Sequence, residues 1–454
     1  MTRPRFTLRA SLVLAFVGLL AAASAASATT GVITEFSAGI STGSGPAGIA
    51  TGPGGNLWFT EYTGNRIGRI TPTGAVTELS GITQGGGPNA IAAGLDGNVW
   101  FTEYNGNRIG RITPAGTVTE FSANLTANSA PNDIAVGPDG NLWFTEDNGP
   151  RIGRITPAGA IAEFSAGINV TSGLTGIATG PDGNLWFTEA NDDRIGRITP
   201  AGTVTEFANG ITPSSYPYDI AAGPDGNLWF TEFDGSRIGR ITPAGVVTEF
   251  ADAISASSVP FGIAAGPDGN MWFTEANGGR IGRITPAGVV TQFSASLTPG
   301  SRPEGIAAGP DGNMWFTERQ DGRIGRITVD ARVSTGTPPP PLGSNVVSFA
   351  TAPKSLRVSR KGSFTYTFVA SPLASGKIGM KSTKQVKVGS KKRSVKLAQR
   401  SFAAPATAQV AVKFKLAKKY LKALKHKKKL RFKVTATLGG KTFTTTLTLK
   451  APKK

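Results

Sequence analysis

Residues 176–207 read GIATGPDGNLWFTEANDDRIGRITPAGTVTEF. The stretch holds four short runs, GIATG, LWFTE, RIGRIT and TVTEF, each bounded by Gly, Pro, Asn or Asp. Runs this short, separated by turn residues, read as strands and not as helices. Pro181-Asp182-Gly183-Asn184 supplies a pre-set φ, a capping side chain and a residue free to take positive φ, so it joins the first strand to the second. Pro200-Ala201-Gly202 joins the third to the fourth in the same way. Gly196, inside RIGRIT, is expected to leave room for a large neighbour, a Trp from the next repeat. In the equivalent run of the first repeat, Leu57, Phe59 and Glu61 share one face, and Trp58 and Thr60 the other.

The phrase recurs along the chain. All 7 Trp lie in it, at Trp58, Trp100, Trp143, Trp186, Trp229, Trp272 and Trp315, spaced by 42 residues once and 43 five times. Four strands per unit at this period give an all-β, seven-bladed β-propeller over residues 29–336. The outer-strand phrase GxxTEF, or a near variant, begins at Gly31, Gly74, Gly116, Gly159, Gly202, Gly245 and Gly288, each time ahead of a Trp phrase. The last repeat therefore lacks its own outer strand. Residues 31–36 are the natural substitute and would close the ring; residues 329–334 compete for the same edge, and both remain open at this level.

Composition narrows the chemistry. The 454 residues include no Cys and a single His, His426, which excludes a thiolate nucleophile, a disulfide framework and Cys- or His-rich metal sites. Residues 1–28 read as a secretory signal peptide: Arg3, Arg5 and Arg9, then the apolar stretch 11–23, then Ala26-Ser27-Ala28 at the cleavage site. The apolar stretch is too short for a stable span and no second one follows, so a secreted, extracellular protein with no transmembrane segment is expected.

Blades reading GPDGNLWFTE, RIGRITPAG and TEF resemble the virginiamycin B lyase (streptogramin B lyase) family of seven-bladed propellers, over about residues 31–328. The resemblance implies a magnesium-assisted carbon–oxygen lyase that opens cyclic depsipeptide antibiotics, a base removing the proton α to a carbonyl while the metal stabilises the enolate. It places the family's metal-associated Glu at Glu318 and the basic residue after it at Arg319. The catalytic His falls where this chain has Glu304, a second His near Phe261, and a carboxylate at Arg302. If active, Glu304 would be the base; Arg302 beside it is expected to push its pKa down.

The seven Glu of WFTE (Glu61, Glu103, Glu146, Glu189, Glu232, Glu275, Glu318) each precede the first Arg of RIGRIT by about five residues, which predicts a repeated cross-strand pair and not an acidic binding ring. The PDGN turns lack calcium-ligand positions after them and read as bare turns. Ligand contacts should come from the loops where repeats differ. The loop before the first strand contributes Asn89, Asn132, Asp133, Tyr218, Asp219, Phe261, Arg302 and Glu304. The loop between the second and third contributes Tyr62, Tyr104, Asp147, Asp192, Asp193, Phe233 and Arg319. From these, Tyr62, Tyr104, Asn132, Tyr218, Asp219, Phe261, Arg302 and Arg319 are the expected ligand-binding set, suited to a small molecule, cyclic peptide or glycan.

Residues 337–344 (TPPPPLGS) form a proline-rich linker, and the composition then inverts. From residue 337 on there are 28 Lys plus Arg and no acid, whereas residues 29–336 carry 17 Arg, no Lys and 29 acids, so the tail is +28 and the propeller −12. Alternation in 364–369, 410–416, 430–437 and 442–449 predicts a small immunoglobulin-like β-sandwich over 345–454, with a helix over 416–430. Such a charge excess suits an anionic cell-wall polymer. The expected function is a monomeric, secreted, ligand-binding relative of the lyases; an active magnesium-dependent lyase and a protein-interaction scaffold are the alternatives.

Overall fold

The computed structural model describes residues 31–329 without a break and, beyond them, segments between 347 and 452. The signal peptide, the proline linker and His426 lie outside the described residues.

Every repeat folds as one antiparallel four-stranded sheet, or blade. In blade 4 the order from the centre outward is Leu174–Thr179, Leu185–Glu189, Arg194–Ile198 and Val204–Phe207. Seven such sheets follow one another around the ring. In the last, Ile33–Phe36 pairs with Arg323–Ile327, Ile33 opposite Ile327 and Phe36 opposite Ile324. The amino-terminal segment thus closes the ring, which settles the alternative left open by the sequence.

The second strand of each blade is buried along its whole length. Its Trp organises the blade. Trp186 donates its Nε1–H to Asp182 of the PDGN turn (3.1 Å) and stacks on Phe207 at 5.3 Å. The Arg197 guanidinium lies 5.4 Å from the Trp186 ring centre and donates to the Pro243 carbonyl of the next blade (3.1 Å). Arg326 makes the same bond to Pro72 across the closing seam (3.1 Å). Beyond area burial, a stacked aromatic pair adds about 0.5–1.5 kcal/mol, so repetition around the ring matters more than any one blade. Trp186 also packs into the next blade, against Leu228, Phe230 and Ile241.

The role expected for Gly196 needs correction. A Cβ there would lie 2.1 Å from Cζ of Phe187, the residue directly opposite on the second strand of the same blade. The space is taken by a cross-strand Phe, because register puts the two face to face; the next blade's Trp is not involved.

One further device positions the site. Each innermost strand carries a register shift, as between Pro303 and Ile306, which turns two residues out of the ladder. The WFTE threonine satisfies the displaced backbone. In blade 7, Thr317 Oγ1 accepts from Gly305 N (2.9 Å) and donates to Ala47 O of blade 1 (2.7 Å). In blade 4, Thr188 accepts from Gly176 N (2.7 Å) and donates to Tyr218 O of blade 5 (2.8 Å). The same clasp recurs in every blade. It sets Ala47, Asn89, Asn132, Thr175, Tyr218, Phe261 and Glu304 around the central channel.

The carboxy-terminal strands form an immunoglobulin-like sandwich. One sheet has the order Ser355–Arg357, Lys441–Lys450, Lys429–Leu438, Ser375–Ser382, Lys396–Ala403, and the other Val347–Ser348, Ser363–Ala370, Gln409–Lys415. Tyr366 and Phe414 of the smaller sheet share a core with Ile378, Phe432, Val434 and Leu447 of the larger. Of the helix expected over 416–430, the described residues show helical conformation at Tyr420, Leu421 and Leu424, with Leu416, Leu421 and Leu424 in the core. Ser375–Ser382 and Lys396–Ala403 were not expected as strands, because Lys, Gly and Ser interrupt their alternation. Among the described residues, no helix is long and apolar enough to cross a membrane.

Candidate ligand-binding site

Blades 5 to 7 form an open cavity of about 370 Å³ at the mouth of the channel, lined by Tyr216, Tyr218, Phe233, Asp234, Phe261, Arg302, Glu304 and Arg319. The innermost-strand shifts bring in Tyr218, Phe261 and Glu304; the loops above supply the rest. Tyr218 is the hub of an aromatic wall, 4.4 Å from Phe261 and 5.5 Å from Phe233, with Tyr216 5.9 Å from Phe233. Burial first, then the nearby Glu304 and Asp219 carboxylates, push the Tyr218 hydroxyl well above its usual range, so it remains a protonated donor.

Opposite the wall sits a charged cluster. Glu304 is 1% exposed, and its carboxylate meets Arg302 Nε at 3.0 Å and Arg319 Nη1 at 2.9 Å. Arg319 also lies over the Tyr62 ring at 4.6 Å, while Arg302 is 49% exposed. Burial raises the Glu304 pKa; Arg319 and then Arg302 act downward, as expected of Arg302, but burial outweighs them. Ionised, this carboxylate has a guanidinium group against each oxygen: Arg319 hydrogen-bonds to Oε2, whereas Arg302 meets Oε1 in ion-pair contact only.

The remaining expected residues do not line this cavity, although the Tyr62 ring backs Arg319. The Tyr62 hydroxyl donates to Asn105 (3.2 Å) and that of Tyr104 to Asp147 (2.7 Å), tying blade 1 to 2 and blade 2 to 3. Asn132 lines the narrower channel below, where Asn89 Nδ2 donates to its Oδ1 (2.8 Å). Asp219 accepts from the backbone N–H of Ile220 (2.7 Å) and of Ile263 in blade 6 (2.8 Å), and Asp133 makes the same two bonds in blades 3 and 4. Burial raises both carboxyl pKa values. These two are fastenings between innermost strands. Sequence reasoning missed Tyr216 and Asp234; the signal for Tyr216 was a Tyr where blades 1, 2 and 4 carry Gly45, Gly87 and Gly173.

The repeated Glu–Arg pairing holds in register throughout but as a close ion pair in only some blades. Arg66 meets Glu61 at 3.0 Å and Arg108 meets Glu103 at 2.9 Å, whereas Arg323 turns from Glu318 to Glu35 at 3.3 Å. Glu318 is fully buried, and burial first, then Glu35, raise its pKa to about 8. It behaves as its six counterparts do. Magnesium takes oxygen ligands, commonly one or two ionised carboxylates with waters, and the buried Glu318 carboxyl favours its neutral form. The cavity mouth offers guanidinium groups in their place, so the residues present do not fit magnesium.

The model of the virginiamycin B lyase family matches residues 22–169 and 167–335. The chain belongs to that family. A streptogramin B lyase structure aligns at 35% identity and TM-score 0.62, over 65% of this chain and 97% of its own. The virginiamycin B lyase from Staphylococcus aureus aligns at 38% identity and TM-score 0.61, over 66% and 99%. A catalytically inactive His-to-Ala variant of the same enzyme, solved with quinupristin, aligns equally well. Among curated proteins no match was found. The streptogramin lyase likeness covers the propeller and stops short of the basic sandwich.

Proposed function

We propose that this member of the virginiamycin B lyase family binds a small ligand between blades 5 and 7 and does not open depsipeptide rings. One observation carries the reading: the sole His of the chain, His426, follows the propeller, and the position to which the resemblance assigns the catalytic His holds Glu304. In the Staphylococcus enzyme, a His-to-Ala variant is described as catalytically inactive. Elimination needs a base free to take the α-proton. Glu304 instead serves as the counter-ion of two arginines. Incubated with quinupristin and magnesium, the protein is expected to bind the antibiotic by calorimetry and to return it intact by mass spectrometry. Linearised product, lost in Glu318→Ala, would overturn the reading.

We further propose that cleavage after Ala28 releases a secreted chain whose residues 345–454 hold it on anionic cell-wall polymer. The support is the +28 charge without a single acid from residue 337 on. Attraction of that kind is screened within about 3 Å at 1 M salt. The mature protein should therefore be retained on isolated walls in dilute buffer and elute in 1 M NaCl; retention at high salt, or none in dilute buffer, would reject the polymer.

A further inference from the structure

We infer that the cavity of blades 5 to 7 selects aromatic carboxylates, the acid lying on Arg302 and Arg319 and the ring against Tyr218, Phe233 and Phe261. This deepens the ligand-binding reading and rests on it.

Three observations converge. Charge comes first: Glu304 neutralises only one of the two guanidinium groups it touches, which leaves one positive charge beside the aromatic wall. Asp234 stands on the exposed rim of blade 5, so the ligand's other end is neutral or cationic, as in an aromatic amino acid or the carboxy-terminal residue of a peptide.

Preorganisation comes second. Glu304 and the Tyr62 ring fix the plane of Arg319, and Glu304 meets Arg302 at Nε, in a side chain that stays half exposed. A planar fork held in this way loses little freedom when it takes a carboxylate. Here Glu304 is a positioning residue.

Backbone strain comes third. The position two residues before each channel residue is left-handed in all seven blades. Blades 1, 2 and 4 place Gly45, Gly87 and Gly173 there, with φ of 60, 58 and 58°. Blades 5 and 7 instead hold Tyr216 and Arg302 at φ of 55 and 54°, and both line the cavity. A side chain is kept where glycine would be easier, at the place where ligand contacts are made. Ala130 and Val259 share the conformation without lining the cavity, so strain supports the assignment only together with the charges.

The test compares N-acetylphenylalanine with its amide, using the mature protein and quinupristin as competitor. The acid is expected to bind at least ten-fold more tightly, with that preference falling below two-fold in Arg302→Gln. Arg302→Gly should lose the preference while its Tm rises, a combination that a purely structural arginine would not give. Equal affinity for acid and amide would overturn carboxylate selection and leave the ligand-binding reading in place. So would binding of quinupristin with neither probe bound. Failure of all three compounds to bind would remove both proposals.

Discussion

Raising the pH from 5 to 8.5 is expected to lower the Tm of the propeller by about 10 °C, at roughly 2 °C for each kcal/mol lost in a domain of this size. The cause is the ring of fully buried WFTE glutamates. Burial raises Glu61, Glu103 and Glu189 to about 7 and Glu146, Glu232 and Glu318 to about 8, from an ordinary 4.5. An outer-strand carboxylate beside each adds to the rise: Glu78, Glu120, Glu206, Glu163, Glu249 and Glu35. The folded chain thus keeps protons that the unfolded chain releases. Stability from the neutral form is complete below the unfolded value near 4.5 and is lost as pH rises through 7 to 8. About 1 kcal/mol per site is enough for the stated shift. The outer Glu78 and Glu120 act in the opposite sense: hydrogen bonds from Ser41 and Thr83 and the charges of Arg66 and Arg108 lower them, so their contribution is lost only on acidification below 4.5.

Blade 6 shows what the pairs are. Its outer strand carries Gln292, whose amide donates to Glu275 at 2.7 Å, a neutral donor where the other blades place a second carboxyl. Replacing Glu146, Glu232 and Glu318 by Gln should therefore preserve the fold and flatten the Tm profile above pH 6, measured by scanning calorimetry in matched ionic strength. A wild-type Tm that is constant or rising from pH 5 to 8.5 would refute the proton-sharing account.

The second large effect concerns ring closure. A chain beginning at residue 38 is expected to lose its cooperative unfolding and to self-associate more than the intact chain. Ile33–Phe36 supplies the outer ladder of blade 7, Phe36 stacks on Trp315 at 5.3 Å, and Glu35 accepts from Thr298 N (2.6 Å) and Oγ1 (2.7 Å). Ile33 is buried and Phe36 partly buried, so the loss of this packing costs about 3 kcal/mol, and Arg323–Ile327 would become an exposed edge. Size-exclusion chromatography with light scattering should show a larger mass than for the intact chain, or aggregate, and a peptide of residues 29–38 should restore the intact chain's mass. A truncated chain with the oligomeric state and Tm of the intact one would show that the seam contributes nothing.

The frame was legible because each of its parts is written seven times. The Trp period, the PDGN turns and the spare GVITEF segment gave blade count, strand order and the candidate for closure, since turn chemistry and alternation are local properties. The site is a deviation from the repeat, and deviations have no copies against which to be checked. Tyr218, Phe261, Arg302 and Arg319 were found as loop differences and do meet in one cavity. Tyr104 and Asp219 differ just as much, yet they fasten blades together, and only the partner atoms reveal that. The pKa of Glu304 was misjudged for a related reason: sequence shows the neighbouring Arg302 but not the depth of burial.

The threonine clasps bear on how such a protein can change its chemistry. Each clasp holds the main-chain carbonyl of the residue facing the channel and ignores its side chain. Alanine, asparagine, threonine, tyrosine, phenylalanine and glutamate all occupy that place around the ring. The seven positions are interchangeable sockets. A lineage can lose one reactive group and acquire another there without disturbing the scaffold, which makes 218, 261 and 304 the first places to write a new specificity into this molecule.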